Sequence, residues 1–179
     1  MLFRFTGGSI PQSGDFIVGI SGDTTIGVTN AYHLGDMIVQ GTGTVTFTGA
    51  GSIGAAMLEV DSGLTVDTCG KLTVTGFAGA GNVVLMPAAG TLAISSASTL
   101  TGDLTVKTDR SVAFNVNAAT SVSKFYVNAA TNAVVTMTIG SGGSFKATAE
   151  AIVRHGVLKQ GGNNVLGATP KIKIGRAHV

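Results

Sequence analysis

Short apolar runs recur along this chain at a nearly constant step, and that recurrence constrains the fold more than any motif does. The runs open at Phe16 (FIVGI), Met37 (MIVQ), Met57 (MLEV), Val83 (VVLM), Leu104 (LTVK), Phe125 (FYVN) and Ala151 (AIVR), so the steps are 21, 20, 26, 21, 21 and 26 residues. Self-similarity at a fixed period of about 20 to 50 residues marks an architecture of stacked units. The two 26-residue steps read as loop insertions at a corner of a repeating coil. The punctuation repeats as well: Gly14-Asp15, Gly35-Asp36 and Gly102-Asp103 stand directly before Phe16, Met37 and Leu104.

Inside each unit the apolar residues alternate with period two, as on strands with one buried face. Val45 and Phe47, Leu72 and Val74, Leu92 and Ile94, then Val112, Phe114 and Val116, and finally Val135, Met137 and Ile139 form the inward sets. Thr, Ser, Lys and Asn fill the positions between them. A typical unit holds three such strands separated by Gly, Asn, Asp and Ser, the residues that favour turns. VNAAT occurs at Val116–Thr120 and again at Val127–Thr131, which predicts the same turn chemistry at two different corners. No segment keeps an apolar helical stripe over three turns. In SFKATAEAIVRHGVLKQ, one or two helical turns compete with a strand through Ala151–Leu158, and the strand is the preferred reading.

A coil of about 21 residues cannot bury its inner face alone, but stacked coils can. The expected fold is therefore all-β: a single-stranded right-handed parallel β-helix, a solenoid of seven or eight coils with rungs about 4.8 Å apart. A β-sandwich is the runner-up, although its hairpins have no reason to share a 21-residue register. The solenoid also explains the composition, in which 27 of 179 residues are glycine and only 11% are charged. Ladders of small and β-branched residues need few charges, and tight corners need Gly or Asn. The register predicts that Phe16 stacks on Met37 and Leu104 on Phe125, with all four in one column.

Several classes are excluded by simple counting. A single cysteine forms no disulfide within the chain and no zinc site alone. No apolar run approaches 18 residues, so no transmembrane helix is expected. A formal net charge of +2 with no basic stripe gives no argument for nucleic acid. MLFRFTGG lacks the parts of a secretory signal. The last six residues, Ile174 to Val179, resemble one reading frame of a common sequencing adapter. That implies a solenoid fragment over 1–173, cut from a longer protein, followed by a non-native tail over 174–179.

GTGTVTFTGAGSIG, GKLTVTGFAGAGN and AIVRHGVLKQGGNNVLGATPKIKI resemble the passenger repeats of autotransporters and filamentous haemagglutinin-like adhesins. The parallel β-helices of phage tail proteins are a second resemblance. The first implies an adhesive or structural stalk of a secreted or surface-exposed bacterial protein, with a host surface or glycan as partner. The second implies a virion protein. A tailspike-like or secreted polysaccharide lyase or hydrolase is the enzymatic alternative. Presentation on such a stalk would fall to insertion loops near Gly76–Asn82 and Gly140–Glu150.

Cleavage of a glycan needs paired carboxylates, or a base beside a cation. The best local cluster is Asp103, Lys107, Asp109 and Arg110, which reads first as a solvated turn; Asp61 and Asp67 form a weaker one. His33 and His155 lie in different units with no Asp or Ser at motif spacing, and neither HExxH nor GxSxG occurs. Both are expected at surface or corner positions, and Cys69 at a turn. GSGGSF lacks the aspartate of a calcium-binding nonapeptide. A threonine array of the ice-binding kind needs one register in successive coils, yet counting along the coils gives Thr25, Thr46, Val66 and Leu92. The sequence thus nominates no cofactor, no metal and no catalytic set.

Overall fold

The computed structural model describes residues 2–5, 14–161 and 172–174. Residues 162–171 of the Gly-Asn stretch and 175–179 of the expected tail lie outside the described residues. The described chain is all strand and turn, with no helix, and winds as a β-solenoid of about 7 turns. Every strand pairing is parallel. The β-sandwich is set aside.

Three faces surround the core. The first stacks β2 (Phe16–Ser21), the start of β5 (Asp36–Thr48), the end of β6 (Ser52–Val60), the end of β8 (Leu72–Gly79), β11 (Ser98–Leu100), and the starts of β14 (Ala119–Ala129) and β16 (Ser144–His155). The second stacks β1 (Leu2–Phe5), β3 (Thr24–Val28), the end of β5, β7 (Leu64–Asp67), β9 (Asn82–Leu85), β12 (Leu104–Thr108), the ends of β14 and β16, and β18 (Ile172–Ile174). The third holds β4 (Ala31–His33) with the starts of β6 and β8, then β10 (Thr91–Ile94), β13 (Val112–Val116), β15 (Val134–Ile139) and β17 (Val157–Gln160).

A strand that serves two faces must bend between them. In β5 the bend falls at Gly41 and Gly43, with φ of +111° and +113°, a region that L side chains avoid. A Cβ at Gly41 would also run into the carbonyl of Ile20 in the coil below. Glycine here is both a conformational and a stacking requirement.

The alternation read from sequence gives the core. Val45, Phe47, Leu72, Val74, Ile94, Val112, Phe114, Val116, Val135 and Met137 are all buried, while Leu92 and Ile139 pack partly buried against the cluster. Ala151–Leu158 is strand, not helix, running through β16 into β17. The two VNAAT copies do sit at different corners, one leaving the third face after β13 and one leaving the second face within β14.

The register needs correction in four places. Phe16 does pair with Met37 and Leu104 with Phe125, but the two pairs belong to different columns. Phe16, Met37, Leu58 and Phe77 stack on the first face. Val66, Val83, Leu104, Phe125 and Ala151 stack on the second. Met57 is not a coil start, since it pairs with Asp36 while buried Leu58 takes the core position. The step from Met57 to Val83 is therefore a change of face, and the true step on the second face is Val66 to Val83, 17 residues. Finally, the expected insertion loops are largely strand: Gly76–Gly79 lies in β8 with Phe77 fully buried, and Ser144–Glu150 lies in β16.

The Gly-Asp punctuation acquires a physical role in this frame. Asp15 Oδ1 accepts the backbone N–H of Asp36 at 3.2 Å, and Asp36 Oδ1 accepts that of Met57 at 3.2 Å. At the next corner Asp23 Oδ1 accepts the Thr44 N–H (2.8 Å), and Asn82 Oδ1 accepts the Asp103 N–H (2.9 Å). Each spans one coil of 21 residues, so these side chains satisfy backbone donors where the strand ladder is interrupted.

Candidate functional site

The four charged residues nominated from sequence flank and occupy β12, and extended geometry separates them. Asp103 precedes the strand and Asp109 follows it. Six residues at a rise of about 3.3 Å place their Cα atoms roughly 20 Å apart. Asp103 is held through its backbone N–H by Asn82. Asp109 pairs with its neighbour Arg110, Nε to Oδ1, at 2.9 Å, both exposed. The Arg110 guanidinium holds the Asp109 carboxyl below the usual range, and the carboxylate in turn raises Arg110. Lys107 reaches in another direction and meets Asp67 Oδ2 at 3.3 Å, across the intervening β9 rung. The cluster therefore divides into three separate contacts.

Asp67 is the busiest of the nominated acids. Its other oxygen, Oδ1, accepts the Cys69 N–H at 3.0 Å and faces the Cys69 sulfur at 3.3 Å. Cys69 lies in the turn after β7 with φ of +47°, the one described non-glycine residue at positive φ. The carboxylate bonds tie down that turn. Burial pushes the Cys69 thiol up, and Asp67 pushes it further by favouring the protonated sulfur, so this thiol is poorly suited to nucleophilic work. Asp61 lies in the turn before β7, at the opposite end of the strand from Asp67.

Sequence reasoning missed a second charged group on the second face. Glu150 is bound by Lys173 at 2.7 Å and Lys124 at 3.7 Å. The Lys173 hydrogen bond holds the Glu150 carboxyl low, and Lys173 is correspondingly raised. Two positions along, the Arg154 guanidinium lies 4.0 Å from the centre of the Tyr126 ring and covers it, which explains why an outward tyrosine is buried. Lys124 and Glu150 are 26 residues apart and Tyr126 and Arg154 are 28, so a search for local motifs passes over both.

The histidines stay apart. His33 is exposed on β4, beside a shallow groove of about 490 Å³ lined by Leu34, Ile53, Ala55, Thr73 and Thr75. His155 is exposed at a bulge where β16 pairs with Asn128. A second cleft, about 190 Å³, opens where β8 and β10 diverge, with Leu72, Val74, Leu85, Met86 and Leu92 in its wall. Among the described residues no three His, Cys, Asp or Glu side chains gather to hold a metal ion. None of the described helices is long and apolar enough to cross a membrane, since the described residues contain no helix.

The threonine register also needs revision. Thr25 stacks on Thr46, but Thr46 stacks on Asp67, not on Val66, which points inward. Leu92 belongs to the third face. The array still ends after two rungs, now at a carboxylate.

No family model, curated protein or solved structure matches this chain.

Proposed function

We propose that this solenoid is a structural and adhesive stalk segment of a secreted or surface-exposed bacterial protein. The observation that carries this reading is the continuity of the stack. About 7 turns share one buried core from Val18 to Val153, while the outer positions vary in charge and size without disturbing it. A fold of this kind separates two ends by a fixed distance and offers long flat faces, so its product is geometry rather than turnover. The nominated acids support the same reading, because each engages a neighbouring cation or backbone group at a separate place on β12 or β7.

The full chain, immobilised on beads, should capture intact cells or a polysaccharide from a panel of host and bacterial glycans, and should release no new reducing ends. Release of oligosaccharide that is abolished by Asp103→Asn or Asp109→Asn would overturn the stalk reading in favour of a glycan-degrading β-helix. A virion role shares the fold, and capture confined to phage particles would favour it.

A further inference from the structure

Charge is distributed unevenly along the stack. Residues 14–101 carry six acids against Lys71 alone, whereas residues 102–161 carry six bases against three acids. The two halves thus have formal charges of −5 and +3. On the first face this polarity collects in one outward column, in which Glu59, Ala78, Thr99, Ser121 and Lys146 follow each other rung by rung. Glu59 and Lys146 are both exposed, and neither makes an ion pair among the described residues. They stand two rungs to either side of Thr99, and the residues between them are small.

We infer that two copies of this chain associate through their first faces with the stacks antiparallel. A two-fold axis along the strand that holds Thr99 keeps each outward column facing its own copy. Glu59 of one chain then meets Lys146 of the other, twice by symmetry, as an isologous contact requires. Ala78 faces Ser121, and in the adjoining column Gly76 faces Ala119, so no large side chain holds the sheets apart. A parallel arrangement sets Glu59 near Glu59 and Lys146 near Lys146 and is repelled. Five rungs of about 4.8 Å and a width of about 17 Å give roughly 400 Å² on each copy, small for a stable dimer. The association is therefore weak, salt-sensitive and reinforced when longer stacks present the face repeatedly.

Sedimentation equilibrium of the full chain tests this. At about 20 mM salt a monomer–dimer equilibrium is expected, weakened at least tenfold at about 300 mM. Glu59→Lys and Lys146→Glu should each weaken it about tenfold, and the double exchange should restore it. Zero-length carbodiimide coupling should join Glu59 to Lys146. Within one chain those residues are four rungs apart, about 19 Å, so any such link is between copies. A monomer at all concentrations, single exchanges without effect, or a double exchange that fails to rescue would each overturn the proposal. Both substitutions lie on exposed strand positions, and circular dichroism verifies that the variants are folded.

Discussion

Between β7 and β9 the chain completes a coil in 17 residues, from Val66 to Val83, whereas between β14 and β16 it uses 26, from Phe125 to Ala151. The short coil loses its residues at two corners: the offset falls from 21 between Thr46 and Asp67 to 19 between Ile53 and Leu72, then to 17. Four residues return together at Met86–Gly90, where Ser96 again lies 21 beyond Thr75. The long coil gains in steps. Its offset is 23 between Val112 and Val135, 25 between Ala119 and Ser144, then 26 and 27 across two bulges. Distributed gains leave every ladder intact. The concentrated return parts β10 from β8, so that only Thr75 O binds Ser95 and Ser96 across the junction, and the 190 Å³ cleft opens there. What a solenoid tolerates is set less by the number of inserted residues than by whether turns and bulges share them.

Packing follows the same contrast, and the largest predicted effect tests it. In the long coil Phe125 is fully buried, stacked 6.0 Å from Phe114 and edge-on 5.0 Å from Phe145, so the wider section is filled by aromatic volume. Phe125→Ala should cost about 3 to 5 kcal/mol in urea unfolding. Leu92→Ala, beside the cleft and only partly buried, should cost about 1 kcal/mol or less because its surroundings are already loose. Equal costs at the two sites would remove the distinction between a filled and an open junction.

Backbone protection offers a gentler test. The β10 edge facing β8 lacks the ladder that β13 has on both sides, with β10 and β15. Amides of Thr91–Ile94 should exchange with solvent roughly tenfold faster than those of Val112–Val116, since local opening there breaks fewer bonds. Comparable protection would mean that the divergence of β8 and β10 is not a weak point.

The repeat, the strand alternation and most of the core were legible because each rests on short-range pattern. Phe16 on Met37 and Leu104 on Phe125 came out directly, since constant spacing suffices for neighbouring rungs on one face. Which of three faces a run belongs to was not legible. Alternation distinguishes inside from outside, and all three faces share it, so Phe16 and Leu104 read alike although they lie in different columns. The same blindness merged a face change with a true insertion under one 26-residue step. Site residues suffered in the opposite sense. Asp103 and Asp109 look close on paper and are far apart on an extended strand, while Lys124 and Glu150 look remote and are neighbours.

The smallest effect separates the two junctions by acid. One corner column runs through Asn82 and Asp103 to Lys124 and Glu150. At its short-coil end Asn82 bonds the Asp103 N–H through an amide that has no proton to lose in this range. At its long-coil end Glu150 is held by Lys173 and Lys124, and its carboxyl lies below the ordinary value. A carboxyl lowered by folding contributes stability that is complete above the unfolded value of about 4.3 and disappears as pH falls through the folded one. Acidification from neutral pH toward that window should therefore reduce protection of Ala151–Val153, corrected for intrinsic rate, while Val83–Leu85 changes less. The change should be on the order of a few-fold, because the lysines are largely exposed and such pairs are weak. Glu150→Gln should remove it, since the amide keeps the shape and loses the titration. A pH response that survives Glu150→Gln would place its origin elsewhere and leave the two corners electrostatically alike.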